Sequence, residues 1–409
     1  MQIADLALQR NKYKHLSDEE WRWFLQQEEG RQRTADKLPS FALINDWWYP
    51  VRLSCEQCSS ELTARYKTSI VQDKCQNGKC LDLTGGYGVD TYFLSEQFAQ
   101  TDYVEQNEEL CRIATHNFSL PFRWRIALTW QSERPEQRGA SLQPERMGVG
   151  SIFVHNTTAE AFLEQANQYD LIFIDPARRD SHGSKVFRLA DCTPNIITLL
   201  PLLQQHLTPN GRLMLKLSPM LDITQAVKEL TSTKNPLTWD IHIVAVKNEV
   251  KEVLLLSHGA GLITAIDLIQ KEQVFTFTRE EEMSSLLSVN GPLSQNADNL
   301  FLYEPNAAIL KAGAYKLIAR RFGLKKADTN THLYFSDTLI SDFPGRIWKV
   351  EKAITNSKLQ ISTANVLVRN YPLSAEALKK RMHLRDGGAL FVIGCRVGSK
   401  PTVFLCERV

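Results

Sequence analysis

The chain has 409 residues, 43% of them hydrophobic and 23% charged, and a formal net charge of +2. Those proportions fit a globular chain of about two to three domains and exclude a mainly disordered, collagen-like or fibrous one. The near-neutral total hides a split: residues 311–409 carry 18 Lys and Arg against 7 Asp and Glu, a net of +11, leaving −9 on the rest. Such asymmetry hints at nucleic-acid or membrane contact. No apolar run approaches the ~18 residues of a membrane span. The start, MQIADLALQRNKYKHL, lacks the charged-then-apolar layout of a secretory signal. A cytoplasmic protein is expected, its eight Cys present as thiols rather than disulfides.

Residues 1–70 read as a helical extension. Ser17-Asp18-Glu19-Glu20 fits a capping box, with Trp21, Phe24 and Leu25 following at helical spacing. A second box, Ser54-x-x-Gln57, predicts a helix running to about Ile70. Glu56, Ser60 and Lys67 fall on it, either as lid contacts to a ligand or as ordinary helix surface.

Residues 71–258 alternate strands and helices. CLDLTGG, TDYVEQ, SIFVHN, DLIFID and GRLMLKLS read as strands, and VDTYFLSEQF and ELCRIATHNF as helices. Runs such as LIFI lack polar alternation, as strands buried on both faces do. The rhythm predicts an α/β fold with a parallel, doubly wound sheet. IHIVAVK-NEV-KEVLLLS reads as an antiparallel pair at its edge, and the polar, Arg-rich stretch 121–150 as a long loop or insertion. The rhythm stops near Gly259. Residues 259–345 contain the helical segment PNAAILKAGAYKLIARRF, and residues 346–409 read strand, helix, strand, strand.

The turn after the first strand reads Asp82-Leu83-Thr84-Gly85-Gly86-Tyr87-Gly88-Val89-Asp90. Glycines there permit a tight strand-to-helix turn and close approach of a ligand. Glu105, 17 residues after Gly88, ends the next strand. A carboxylate there can accept both ribose hydroxyls of an adenosine cofactor. The third glycine of the dinucleotide fingerprint is absent, and Asp82 and Asp90 flank the turn. Anionic side chains repel a pyrophosphate and suit a cationic ligand.

On these residues the chain resembles the class I S-adenosylmethionine-dependent methyltransferases. Asp82, Gly86 and Gly88 match their first motif, while Thr84 stands where they have the first glycine. The resemblance implies a Rossmann-like seven-stranded sheet. It also implies a cofactor, S-adenosylmethionine, held by Asp82, Thr84, Gly85, Gly86, Gly88 and Asp90, by Glu105 at the ribose, and by Asn156 beside the adenine. Asp175-Pro176-Ala177-Arg178-Arg179 follows the fourth strand, where family members acting on amino groups carry D/N-P-P-aromatic. Asp175 and Pro176 are kept and the aromatic ring is not. Asp175, Pro176 and Arg178 are then the catalytic candidates, with Arg178 and Arg179 also suited to phosphates.

The strings LSCEQCSSELTARYK, DLTGGYGVDT, DPARRD, KVFRLADCTPN, KLSPMLDI and NEVKEVLL resemble, in that order, a bacterial methyltransferase family. That family has a small ferredoxin-like domain followed by a THUMP-like one. The resemblance implies a ferredoxin-like domain at 259–345 and a THUMP-like domain at 346–409. Because THUMP domains help bind structured RNA, it also implies RNA as substrate, with Lys379, Lys380 and Arg381 on the last helix and Asp191 as further contacts. The basic tail agrees, since phosphate neutralisation supplies most nonspecific affinity for nucleic acid. A methyltransferase for a small molecule or protein, and a noncatalytic RNA-binding protein, stay open as alternatives.

No metal is expected. Cys55-x-x-Cys58 with Cys75 and Cys80 is spaced unevenly for a zinc site, and Cys80 begins a strand. Cys192 could act as a nucleophile in pyrimidine methylation, but a buried thiol is the simpler reading.

Overall fold

The computed structural model describes residues 6–71, 78–120, 150–177, 188–232, 235–269, 273–286, 300–354 and 361–409. The predicted long loop falls almost wholly on 121–149, outside these residues. The chain divides into two compact units, Met1–Leu237 and Thr238–Val409.

The first unit opens with four helices: α1 (Asp18–Thr34), α2 (Pro39–Ala42), α3 (Arg52–Gln57) and α4 (Glu61–Ser69). The box at α1 forms as expected. The Ser17 hydroxyl accepts from Glu20 N–H, and Glu20 reaches back to Ser17 N–H at 2.7 Å. The second box does not form. Ser54 lies inside α3, the chain turns extended at Cys58, and Ser60 caps α4 by accepting from Thr63 N–H at 3.2 Å. Ser favours a cap over a helix interior because its hydroxyl competes for backbone groups. With two serines at 59 and 60, the later one takes the cap.

These helices carry part of the core. Phe41, Trp47 and Tyr49 are buried with Tyr87, Tyr92 and Phe93 of the turn and helix that follow the first strand. Trp47 Nε1 donates to the Tyr87 hydroxyl at 2.8 Å. The extension is therefore packed into the unit rather than appended to it.

Five parallel strands follow: β1 (Lys79–Asp82), β2 (Gln100–Glu105), β3 (Ser151–Asn156), β4 (Tyr169–Ile174) and β5 (Leu207–Leu217). β1 lies between β2 and β4, with β3 outside β2 and β5 outside β4. Helices α5 (Val89–Leu94), α6 (Glu108–Ser119), α7 (Ala159–Leu163), α8 (Ile196–Gln205) and α9 (Ile223–Thr231) alternate with them. The predicted α/β class holds. Chain order reverses direction across β1 and β4, so their carboxyl ends form the crevice where such sheets bind ligands.

The second unit begins with the predicted antiparallel pair, β6 (Trp239–Val246) and β7 (Glu249–Ser257). Lys247 and Asn248 turn it with φ of 53° and 61°, the backbone that two-residue hairpins require. β8 (Leu262–Asp267) pairs parallel with β6, and β9 (Val274–Thr278) antiparallel with β8, so the hairpin does not lie at the sheet edge where the sequence put it. A second sheet has the order β11-β12-β10-β13-β16-β15-β14. Its strands are β10 (Phe301–Pro305), β11 (Lys325–Asp328), β12 (Thr331–Ser336), β13 (Gly345–Ile354), β14 (Asn365–Arg369), β15 (Leu390–Val397) and β16 (Lys400–Arg408). Helices α10 (Arg279–Ser284), α11 (Ala307–Ala312), α12 (Leu317–Arg321) and α13 (Ala375–Arg381) complete the unit. The helical segment expected at 305–322 is split into α11 and α12 because Gly313, at φ 77°, caps α11 in the left-handed region.

Candidate active site

The site is built at the carboxyl ends of β1, β2, β4 and β5. Asp82 ends β1 and is 1% exposed. Its Oδ1 accepts from Thr84 N–H at 3.0 Å and its Oδ2 from the Thr91 hydroxyl at 2.6 Å. Burial pushes its carboxyl from 3.8 up to about 7, against the pull of those two hydrogen bonds. Asp82 therefore braces the turn from inside.

Each turn glycine has its own reason. A Cβ on Gly85 would stand 2.1 Å from the Tyr103 ring, and one on Gly88 2.7 Å from Phe118. Gly86 differs: at φ +56° its nearest neighbour would be 3.8 Å away, so the space above it is open. Tyr103 donates its hydroxyl to the Gly86 carbonyl at 2.6 Å. Glu105 accepts from Gly86 N–H at 2.9 Å and from Asn107 N–H at 2.8 Å. The Glu105 carboxylate is thus pinned against the open point of the turn. Asn156, exposed at the end of β3, donates to the Glu105 carbonyl at 3.0 Å.

Asp90 opens α5 and is buried. The Ser59 hydroxyl donates to it at 2.6 Å, Lys67 Nζ lies at 3.2 Å and Lys216 Nζ at 3.7 Å. Burial works against its charge, yet Lys67, Lys216 and Ser59 hold its carboxyl below the usual range. Lys67 is completely buried, so it is neither helix surface nor a lid contact. Ser60 and Glu56 are spent on the α4 cap and on Arg52 respectively.

Asp175 follows β4. Its backbone N–H donates to the Thr84 hydroxyl at 2.7 Å, and Lys216 Nζ donates to its Oδ2 at 2.6 Å. Thr84, the residue in place of a glycine, thereby joins the β1 turn to the β4 end. Pro176 is buried, and Ala177 forms a two-way backbone bridge with Thr193. Arg178 and Arg179 lie outside the described residues. Asp191 is exposed in a short turn, and Cys192 is 4% exposed beside the Arg188 carbonyl.

On α13, Lys379 is engaged by Asp386 at 2.7 Å and Glu376 at 3.1 Å, whereas Lys380 and Arg381 are exposed. The Cys55 and Cys58 thiols donate to the carbonyls of Pro50 and Cys55, and burial pushes both thiols up. Cys75 lies outside the described residues. Among the described residues no group of His, Cys, Asp and Glu could hold a metal ion. No helix of the described residues is long and apolar enough to cross a membrane.

Comparison with known proteins bears on the family of the chain. A family model for a ferredoxin-like domain matches residues 301–344, and a THUMP domain-like model matches 345–408. Two Mycobacterium tuberculosis strains, CDC 1551 and H37Rv, each have a protein named an uncharacterised S-adenosylmethionine-dependent methyltransferase. Each is 24% identical over 293 residues, 66% of this chain and 75% of its own length. A crystal structure of a candidate methyltransferase from Porphyromonas gingivalis W83 is 30% identical, with a TM-score of 0.78. The match covers 96% of this chain and 92% of that one. The chain belongs to the class I S-adenosylmethionine-dependent methyltransferases, in the family with ferredoxin-like and THUMP-like C-terminal domains.

Several contacts of the methyltransferase's candidate site have no clear signal in its sequence. Tyr103 looks like strand core, yet it fills the space at Gly85 and holds Gly86. Ser59 comes from the helical extension, and Lys67, a candidate there, pairs with Asp90 in a way the sequence does not show. Lys216 had a signal: a lysine interrupts the apolar run LMLKL, in a strand position where a charge needs a partner.

Proposed function

We propose that this methyltransferase methylates RNA, with the basic C-terminal part helping to hold the substrate. The observation that carries the methyl-transfer half of the reading is the double tie at the β1 turn. Glu105 bonds Gly86 N–H on one side, and Thr84 bonds Asp175 N–H on the other. A donor site and an acceptor site are thereby fixed to one rigid turn.

The residues fit S-adenosylmethionine. Gly86 leaves room for close approach. Glu105 has lone pairs beyond the two bonds it makes, enough for ribose hydroxyls, and Asn156 stands beside it for the adenine. Asp82 and Asp90 act behind the turn, Asp82 by hydrogen bonds and Asp90 by ion pairs. When bound, the cofactor supplies a methyl group already activated on a sulfonium. The chain's own contribution is alignment, which can save about 7–11 kcal/mol in a reaction between two bound partners. Asp175, 38% exposed at its side chain, accepts a hydrogen bond from the acceptor group or takes its proton. Lys380 and Arg381 contact phosphates.

RNA is supported by the THUMP domain-like match over 345–408 and by the net +11 of residues 311–409. The test is to incubate the full chain with labelled S-adenosylmethionine and separate pools of total RNA, DNA, protein and metabolites. Label in RNA is expected. Label confined to protein or metabolites would transfer the reading to those substrates. No label and no cofactor binding would leave a noncatalytic RNA-binding protein.

A further inference from the structure

We propose that Lys216 is a positioning residue for methyl transfer, clamping one oxygen of the Asp175 carboxylate so that the other faces the acceptor. The inference rests on Asp175 as the acceptor contact.

β4 and β5 run parallel with Ile174 opposite Leu215. That register sets Asp175 beside Lys216, one residue further along each strand. Lys216 Nζ lies 2.6 Å from Asp175 Oδ2, and its side chain is 13% exposed. The backbone of Asp175 is held separately, by the Thr84 hydroxyl at 2.7 Å. The acid is therefore fixed at two points, main chain and carboxylate.

Lys216 is itself anchored from behind. Its second partner, Asp90, is held in turn by Lys67 and Ser59. Lys67, Asp90, Lys216 and Asp175 thus alternate in sign from the buried interior to the site. Alternation is what a poorly solvated row of charges demands, since removing one partner leaves the next uncompensated. A purely structural lysine would be expected closest to the buried carboxylate. Lys216 instead makes its shorter contact, 2.6 Å against 3.7 Å, with Asp175 at the exposed end. Asp90 already has its nearer cation in Lys67. What Lys216 adds is the fixed direction of the Asp175 carboxylate.

The test compares Lys216→Met and Lys216→Arg with wild type in the full chain. Three measurements are made: methyl transfer from labelled S-adenosylmethionine to total RNA, cofactor affinity by calorimetry, and a crystal structure of the Lys216→Met protein. A misplaced reacting group costs up to about 100-fold. Turnover of Lys216→Met should accordingly fall about 10- to 100-fold while cofactor affinity stays within about twofold. Lys216→Arg should regain part of the loss, and the Asp175 side chain should shift in the Lys216→Met crystal. Turnover within about twofold of wild type, affinity lost in step with turnover, or an unmoved Asp175 would each overturn the proposal. If the wild type labels no RNA, the substrate reading fails by itself. The place of Asp175 in the Lys216→Met crystal then still decides for or against the clamp. Should Lys216→Met not fold, Lys216→Gln, neutral and one atom shorter than lysine, carries the same expectations.

Discussion

Replacing Asp82 by Asn should change how stability depends on pH. Asp82 is 1% exposed, and burial raises its carboxyl from 3.8 to about 7 despite bonds from Thr84 and Thr91. A raised value in the fold means that the bound proton stabilises it. The contribution is full below the unfolded value and is lost as pH climbs through about 7. At about 1.4 kcal/mol per pH unit, that span is worth about 4 kcal/mol. Asn is neutral throughout. Its carbonyl can keep the Thr84 N–H bond and its amide can donate to the Thr91 hydroxyl. The assay is urea unfolding of both proteins at steps from about pH 4.5 to 8.5, because titrating groups that do not interact with Asp82 cancel in the difference between them. Asp82→Asn should gain on wild type by about 3–4 kcal/mol between the ends, with the gain complete just above pH 7. A difference that is the same at every pH would refute the buried-acid reasoning.

Three further outcomes are expected. Glu105→Gln loses one acceptor oxygen and the charge that Gly86 and Asn107 address. Hydrogen bonds to charged groups contribute about 1.5–3 kcal/mol, so calorimetry should show S-adenosylmethionine affinity down about 10- to 100-fold; unchanged affinity would remove Glu105 from the cofactor site. Gly88→Ala places a Cβ 2.7 Å from Phe118 at φ +83°, and thermal unfolding should report a loss of about 1–3 kcal/mol; a loss under about 0.5 kcal/mol would contradict the packing argument. Replacing Lys380 and Arg381 together by Ala should weaken binding to total RNA and lower its salt slope by about 2. Lys379→Ala should change that slope less, since Asp386 and Glu376 already engage it.

What could be read from the sequence follows the reach of each signal. The Ser17 cap, the apolar run of β4 and the β6–β7 hairpin were legible, because each depends on residues within one element. The Ser54 box was misleading for a related reason: the same local chemistry was on offer at Ser60, and packing chose between them. β8 carries no clear alternation, and β9 alternates over only the five residues VFTFT, too short a signal to stand out. At the candidate site, the placing of the glycine turn, Glu105 and Asp175 at strand ends was legible, because apolar strand runs mark where those ends fall. The row from Lys67 through Asp90 to Lys216 was not. Its members sit on a helix, a turn and a strand far apart in the chain, and only sheet register and helix packing bring them together. Asp82 and Asp90 read as a field for a cationic ligand; in the fold, Asp82 is buried behind the turn and Asp90 is paired with lysines.

The central claim is methyl transfer from S-adenosylmethionine to RNA at Asp175. It is tested most directly by mass spectrometry of nucleosides in RNA from a strain lacking this gene, complemented with wild type or with Asp175→Ala. The account predicts one methylated nucleoside missing from the deletion strain, restored by wild type and not by Asp175→Ala. An unchanged set of methylated nucleosides across all strains, or full restoration by Asp175→Ala, would contradict it.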